Sequence, residues 1–79
     1  MNKNDVKSRV KKVISHVLKI DESDIADTAN FIFDLGADSM QSLELIAAFE
    51  EEFNIEMDED KALEVQNVSS AVAFIASYF

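Results

Sequence analysis

The sequence predicts an all-α fold: a small four-helix bundle with a long loop between helices 1 and 2 and a short helix 3. Three observations lead there. The 79 residues contain no Pro and one Gly, so few positions break a helix. Apolar residues recur at helical spacing, and nowhere at the alternating spacing of a strand. No repeat or low-complexity stretch interrupts the pattern, so residues 1–79 read as one domain.

The first helix is expected over 4–18. Val6, Val10, Val13, Ile14, Val17 and Leu18 are spaced i, i+4, i+7, i+8, i+11, i+12, which is one face. Its β-branched residues are modest helix formers, so packing must hold it. Residues 19–37 form the long connection. Asp21, Ser23, Asp24, Asp27, Thr28 and Asn30 are turn and cap formers. Ile20, Ile25, Phe31, Ile32, Phe33 and Leu35 are expected to lay the connection across the helices and close the core, since a loop this long is unusual without its own packing. The second helix is expected from 38 or 39 to about 53. Gly36 gives backbone freedom just before it, and Asp38 with Gln41 three residues on resembles a capping box. A third helix is expected over about 60–65, capped near Asp58 or Glu59. A last helix over about 70–77 is capped by Ser69 or Asn67, with Val68, Ala71, Val72, Ile75 and Phe79 facing the core.

Composition removes several functions. There is no Cys and one His, His16, so a disulfide, a thiolate metal site, a His-based zinc site and a Cys–His nucleophilic pair are excluded on inventory. His16, on the first helix, reads as a partly exposed structural side chain. No apolar run approaches the length of a membrane span, and the first ten residues lack the apolar centre of a signal peptide. A soluble cytoplasmic protein without stable membrane insertion is expected. The acidic stretches 21–27 and 58–60 do not fit an EF-hand loop: counting from Asp21 or Asp58, position 5 is Ile25 or Ala62. No metal site is expected.

Charge is uneven along the chain. Residues 1–19 hold six basic residues (Lys3, Lys7, Arg9, Lys11, Lys12, Lys19) and one acid, a net of +5, whereas 20–79 hold fifteen acids and only Lys61, a net of −14. The overall charge of −9 disfavours nucleic acid and favours basic protein partners; acidity that serves only solubility is the plain alternative.

The second helix carries most of the information. Leu45, Ile46, Phe49 and Phe53 make its core stripe. Met40, Leu43 and Ala47 fall on roughly the opposite side, fringed by Glu44, Glu50 and Glu51. An apolar strip ringed by acids fits a docking face for a partner with an apolar dimple and a basic rim. Fuller burial of the helix, or Met40 and Leu43 covering a neighbouring loop, would also account for it. Ser39 opens this helix, where free N–H groups and the positive end of the helix dipole favour a phosphate. A capping role is the ordinary alternative. With its single His on another helix, the chain offers no base to make Ser39 a nucleophile; it reads as the acceptor of a group.

Residues 31–53, FIFDLGADSMQSLELIAAFEEEF, resemble the signature of the acyl carrier proteins. The centre is Asp34-Leu35-Gly36-Ala37-Asp38-Ser39-Met40, and Glu50-Glu51-Glu52-Phe53 matches the helix ending of that family. The likeness runs over nearly the whole chain, through Leu18-Lys19-Ile20 to the stretch from Val68 to Ile75. It implies a four-helix bundle that is not an enzyme. A phosphopantetheinyl transferase would move 4′-phosphopantetheine from coenzyme A onto the motif serine, Ser39, in a magnesium-dependent reaction. The thiol of that arm would hold acyl groups as thioesters. By the same resemblance Asp38, Met40, Glu44, Ile46, Ala47, Glu50 and Glu51 lie at recognition positions for acyl-loading and acyl-processing enzymes with basic docking patches; Leu43 joins them on spacing. A monomer is expected.

The departures concern the pathway more than the carrier role. Met40 replaces a usual Leu, which keeps volume and adds flexibility. Gln41 stands where fatty-acid-synthesis members usually have Asp, Met57-Asp58-Glu59 where they often have Ile-Pro-Asp, and Phe33 where a polar residue is common. A fatty-acid, lipid or polyketide carrier therefore stays open. Amino-acid carriers usually show Gly-Gly before the motif, and this chain has Gly36-Ala37. An unmodified acidic interaction module is the reading from another class. A cleft between helices 2 and 3, lined by Phe31, Leu45, Ile46, Phe49, Met57, Ala62, Leu63 and Val65, is expected to shelter the attached chain.

Overall fold

A computed structural model describes residues 2–79. The elements run α1 (Lys3–Leu18), a 3-10 turn (Glu22–Asp24), α2 (Ser39–Phe53), α3 (Glu59–Glu64) and α4 (Val68–Ala76). Among the described residues no strand forms, and one isolated antiparallel bridge links Asn30 with Asn67. The expected bundle, its long connection and its short third helix are all present.

Helix ends follow their caps. Asn2 accepts from the Asp5 N–H, so α1 begins one residue earlier than its apolar spacing marks. Asn67, not Ser69, caps α4 by accepting from the Ser70 N–H, which moves its start to Val68. Asp58 caps α3 through the Lys61 N–H, and Val65 leaves the helix in an extended conformation, so α3 lies one residue earlier than expected. Lys19 and Asn54 end α1 and α2 in the left-handed region. At both ends the next amide also reaches back, Ile20 N–H to Ser15 O and Ile55 N–H to Glu50 O, which satisfies carbonyls a helix leaves open.

The core forms where α1 packs on α2 and α4. α1 supplies Val6, Val10, Val13 and Ile14; α2 supplies Leu45, Phe49 and Phe53; α4 supplies Val68, Ala71, Val72 and Ile75. The connection adds Ile25, Ala29, Phe31 and Ala37. Its backbone is sewn to the start of α4 by Phe31 N–H to Gln66 O and Val68 N–H to Ala29 O, and by the Ser69 hydroxyl, which donates to Asp27 O. So the connection does close the core, with one correction. Ile32 and Phe33 stay outside the core, 56% and 87% exposed. Phe79 is also exposed rather than in the core, although its ring lies against Phe53.

The basic α1 is tied to the acidic remainder. Lys7 and Lys11 pair with Asp27 at 3.1 and 2.6 Å. Arg9 donates from Nε to Glu52 Oε2 at 2.7 Å and from Nη2 to Glu52 O at 2.6 Å, with its guanidinium over the Phe53 ring.

Candidate functional site

Ser39 is the first residue of α2 and is exposed. The turn that delivers the chain to it is built around Asn30. The Asn30 side-chain oxygen accepts from the N–H groups of Ile32 and Phe33, and Asp34 Oδ2 accepts from the Asn30 N–H. Gly36 follows at φ +75°, a conformation that disfavours any side chain. Buried Ala37 anchors the other side through its N–H to Phe31 O. Asp38 then closes a full capping box: its Oδ1 accepts from the Gln41 N–H at 2.8 Å, and Gln41 Oε1 accepts from the Asp38 N–H at 3.2 Å. The cap is spent on Gln41 N–H and leaves the Ser39 and Met40 N–H groups without an intrahelical acceptor. No hydrogen bond engages the Ser39 hydroxyl among the described residues. An exposed hydroxyl beside two open N–H donors and a helix-dipole end suits a phosphate ester. His16, exposed on α1, supplies no base there.

An apolar cavity of about 270 Å³ opens beside α2. All eight residues expected to line the cleft do so: Phe31, Leu45, Ile46, Phe49, Met57, Ala62, Leu63 and Val65. Further walls, not foreseen, come from Ile32 and Phe33 of the Asn30 turn and from Ala71, Phe74 and Ile75 of α4. On α2 the lining begins at Ser42, three residues after Ser39, and continues through Ile46 and Phe49. These positions share a helix face with Ser39, and Ser42 is about 4.5 Å further along the axis. A group attached to Ser39 therefore starts at the cavity's rim.

The recognition residues divide. Met40, Leu43, Glu44, Ala47 and Glu51 are exposed, with Met40 at 70%. Leu45, Phe49 and Phe53 on the other side are buried. The outer apolar strip thus stands free, and Met40 and Leu43 are not covered by a loop. Ile46 is half-buried and lines the cavity. Asp38 is exposed with one carboxylate oxygen in the cap. Glu50 is half-buried and accepts from the Met57 N–H at 2.9 Å.

The model of the phosphopantetheine attachment site family matches residues 8–75. The chain belongs to that family. It is a phosphopantetheine-bearing carrier domain, and its cofactor is covalent 4′-phosphopantetheine. Carrier domains of this family are not catalysts; they meet a transferase that loads the arm and enzymes that process what the arm holds. The residues of this carrier domain fit the group: one exposed serine at a helix start, open N–H donors beside it and an apolar cavity at its rim. No group of three or more His, Cys, Asp or Glu among the described residues is placed to hold a metal ion. Among the described residues no helix is long and apolar enough to cross a membrane.

Proposed function

We propose that Ser39 bears the 4′-phosphopantetheine arm and that the protein carries acyl intermediates to separate fatty-acid, lipid or polyketide enzymes of the cytoplasm, as a monomer. The observation that carries this reading is the exposed Ser39 at the start of α2, three residues before Ser42, where the lining of the apolar cavity begins. The arm, when bound, supplies a thiol that holds an acyl group as a thioester. The chain's own residues do the rest. The capping box keeps the helix start open, so the Ser39 and Met40 N–H groups would be available to a phosphodiester on Ser39 Oγ. Phe31, Ile46, Phe49, Leu63 and Phe74 give an acyl chain an apolar refuge that an amino-acid cargo does not need. Having no base, Ser39 relies on an outside transferase. Met40, Leu43 and Ala47, with Asp38, Glu44, Ile46, Glu50 and Glu51 around them, form the docking surface for that transferase and for later enzymes with basic patches.

Loading tests the cargo reading. The protein is charged from acyl-coenzyme A donors of increasing chain length by a broad-specificity transferase, and the methyl resonances of Ile46, Leu63 and Val65 are followed. An acyl cargo in the cavity shifts them progressively with chain length, and Ser39→Ala shows no shift. Resonances that stay unmoved by any chain length would speak against an acyl refuge.

A further inference from the structure

Glu50 differs from the other acids of the docking strip because it is already engaged. Glu44 and Glu51 stand exposed, whereas Glu50 Oε2 accepts from the Met57 N–H. That bond closes the turn leaving α2 at Asn54 and holds the segment that leads into α3. The Tyr78 hydroxyl adds a second tie, accepting from the Asp58 N–H at 3.1 Å. α3 itself has little to hold it. It spans 6 residues and buries one, Ala62, and a helix that short has no stability of its own. Yet Met57, Ala62, Leu63 and Val65 form a wall of the cavity. A wall this thinly attached belongs to the part of a fold that opens locally.

We propose that Glu50 is a latch on this wall, and that an arginine of a docking enzyme releases it. Latched, the carboxylate has one oxygen committed to Met57. A guanidinium binds a carboxylate best through two parallel hydrogen bonds, which draw charge from both oxygens and so compete with the bond that Oε2 accepts from Met57. Arginine therefore favours Glu50 swung out over Glu50 latched, and that difference in affinity shifts the wall toward its open state. Lysine, a point donor, can take the free oxygen and leave the latch closed. Glu50 acts here as a positioning residue for the cavity. Its use in releasing cargo rests on the acyl-carrier reading, but the hydrogen bond and its test do not.

Amide hydrogen exchange on the unmodified protein, read by NMR, decides the matter. In Glu50→Ala the Met57 amide exchanges roughly tenfold faster, the size expected for one lost hydrogen bond to a charged group, and amides of 60–64 follow. Glu50→Gln keeps a neutral acceptor worth about half as much, so its Met57 amide exchanges about threefold faster than wild type. Saturating hexa-arginine drives wild-type Met57 exchange toward the Glu50→Ala rate; hexalysine does so much less. The proposal is overturned by unchanged exchange in Glu50→Ala, by a rise shared equally by the Val10 and Ile14 amides of α1, or by hexa-arginine that leaves Met57 unmoved or slower. Because no arm is present, failure here leaves the assignment of Ser39 untouched, and an unmodified Ser39 would leave the latch standing.

Discussion

Asp38 stands next to the proposed attachment residue and has two jobs that substitution can separate. As a cap, its Oδ1 holds the Gln41 N–H at 2.8 Å. As an acid, it sits among the residues proposed to meet the transferase. Asp38→Ala removes both roles. The loss of a cap costs about 1 kcal/mol, within a range of ~0.5–2. The reciprocal bond survives, because Gln41 Oε1 accepts from the residue 38 backbone N–H. For a chain of 79 residues, that cost lowers Tm by about 4–8 °C and shifts a urea midpoint by up to ~1 M at the low slope of a small domain. Asn caps as well as Asp, so Asp38→Asn stays within a few tenths of a kcal/mol of wild type, reduced only by the lost charge at the helix N-terminus. Urea unfolding of the three proteins gives the cap its value, and the transferase loading rate gives the charge its value. The expected pattern is a stable Asp38→Asn and a destabilised Asp38→Ala, both loaded more slowly than wild type. An Asp38→Asn as unstable as Asp38→Ala would refute the capping argument. Loading at the wild-type rate in both variants would remove Asp38 from the docking surface.

Arg9 joins α1 to the end of α2 through two hydrogen bonds to Glu52 and its position over Phe53. Because both side chains are about a third exposed, Arg9→Ala should cost about 1–2 kcal/mol rather than the full value of a charged pair, and Arg9→Lys should recover part of it; equal melting temperatures for wild type and Arg9→Ala would contradict this. The hydrogen bond from Lys11, then that from Lys7, hold the Asp27 carboxyl below its ordinary 3.8. A depressed folded value means stability that is present above 3.8 and lost as pH falls through the lower folded value, so Asp27→Asn should show a shallower decline below pH 3.8 in acid unfolding, and an identical decline would count against the pairing. With a net charge of −9, self-repulsion outweighs these few exposed pairs, so Tm should rise with salt or magnesium; a Tm indifferent to salt would show the repulsion to be negligible.

Local signals made much of this legible. Helical spacing alone separates Leu45, Phe49 and Phe53 from Met40, Leu43 and Ala47, because a helix turns that spacing into faces. Asp38 and Gln41 announce their capping box through spacing and residue type. The α2–α3 cleft is readable because its lining residues are the apolar surplus of two neighbouring elements. What stayed hidden depends on contacts distant in sequence or on loop geometry. Phe74 and Ile75 reach the cavity from α4 through tertiary packing. Ile32 and Phe33 count as core on apolarity, but the Asn30 side chain fixes a turn that leaves them exposed at the cavity. Glu50 looks like one of three equivalent acids, and only the path of the turn after Asn54 brings the Met57 N–H to it.

The most direct measurement is the intact mass of the protein after incubation with coenzyme A, magnesium and a broad-specificity phosphopantetheinyl transferase, beside a Ser39→Ala control. A gain of one phosphopantetheine group in the wild type and none in the control is the predicted result. An unchanged mass in the folded wild type with this and a second transferase, or the same gain in Ser39→Ala, would contradict the assignment of the arm to Ser39.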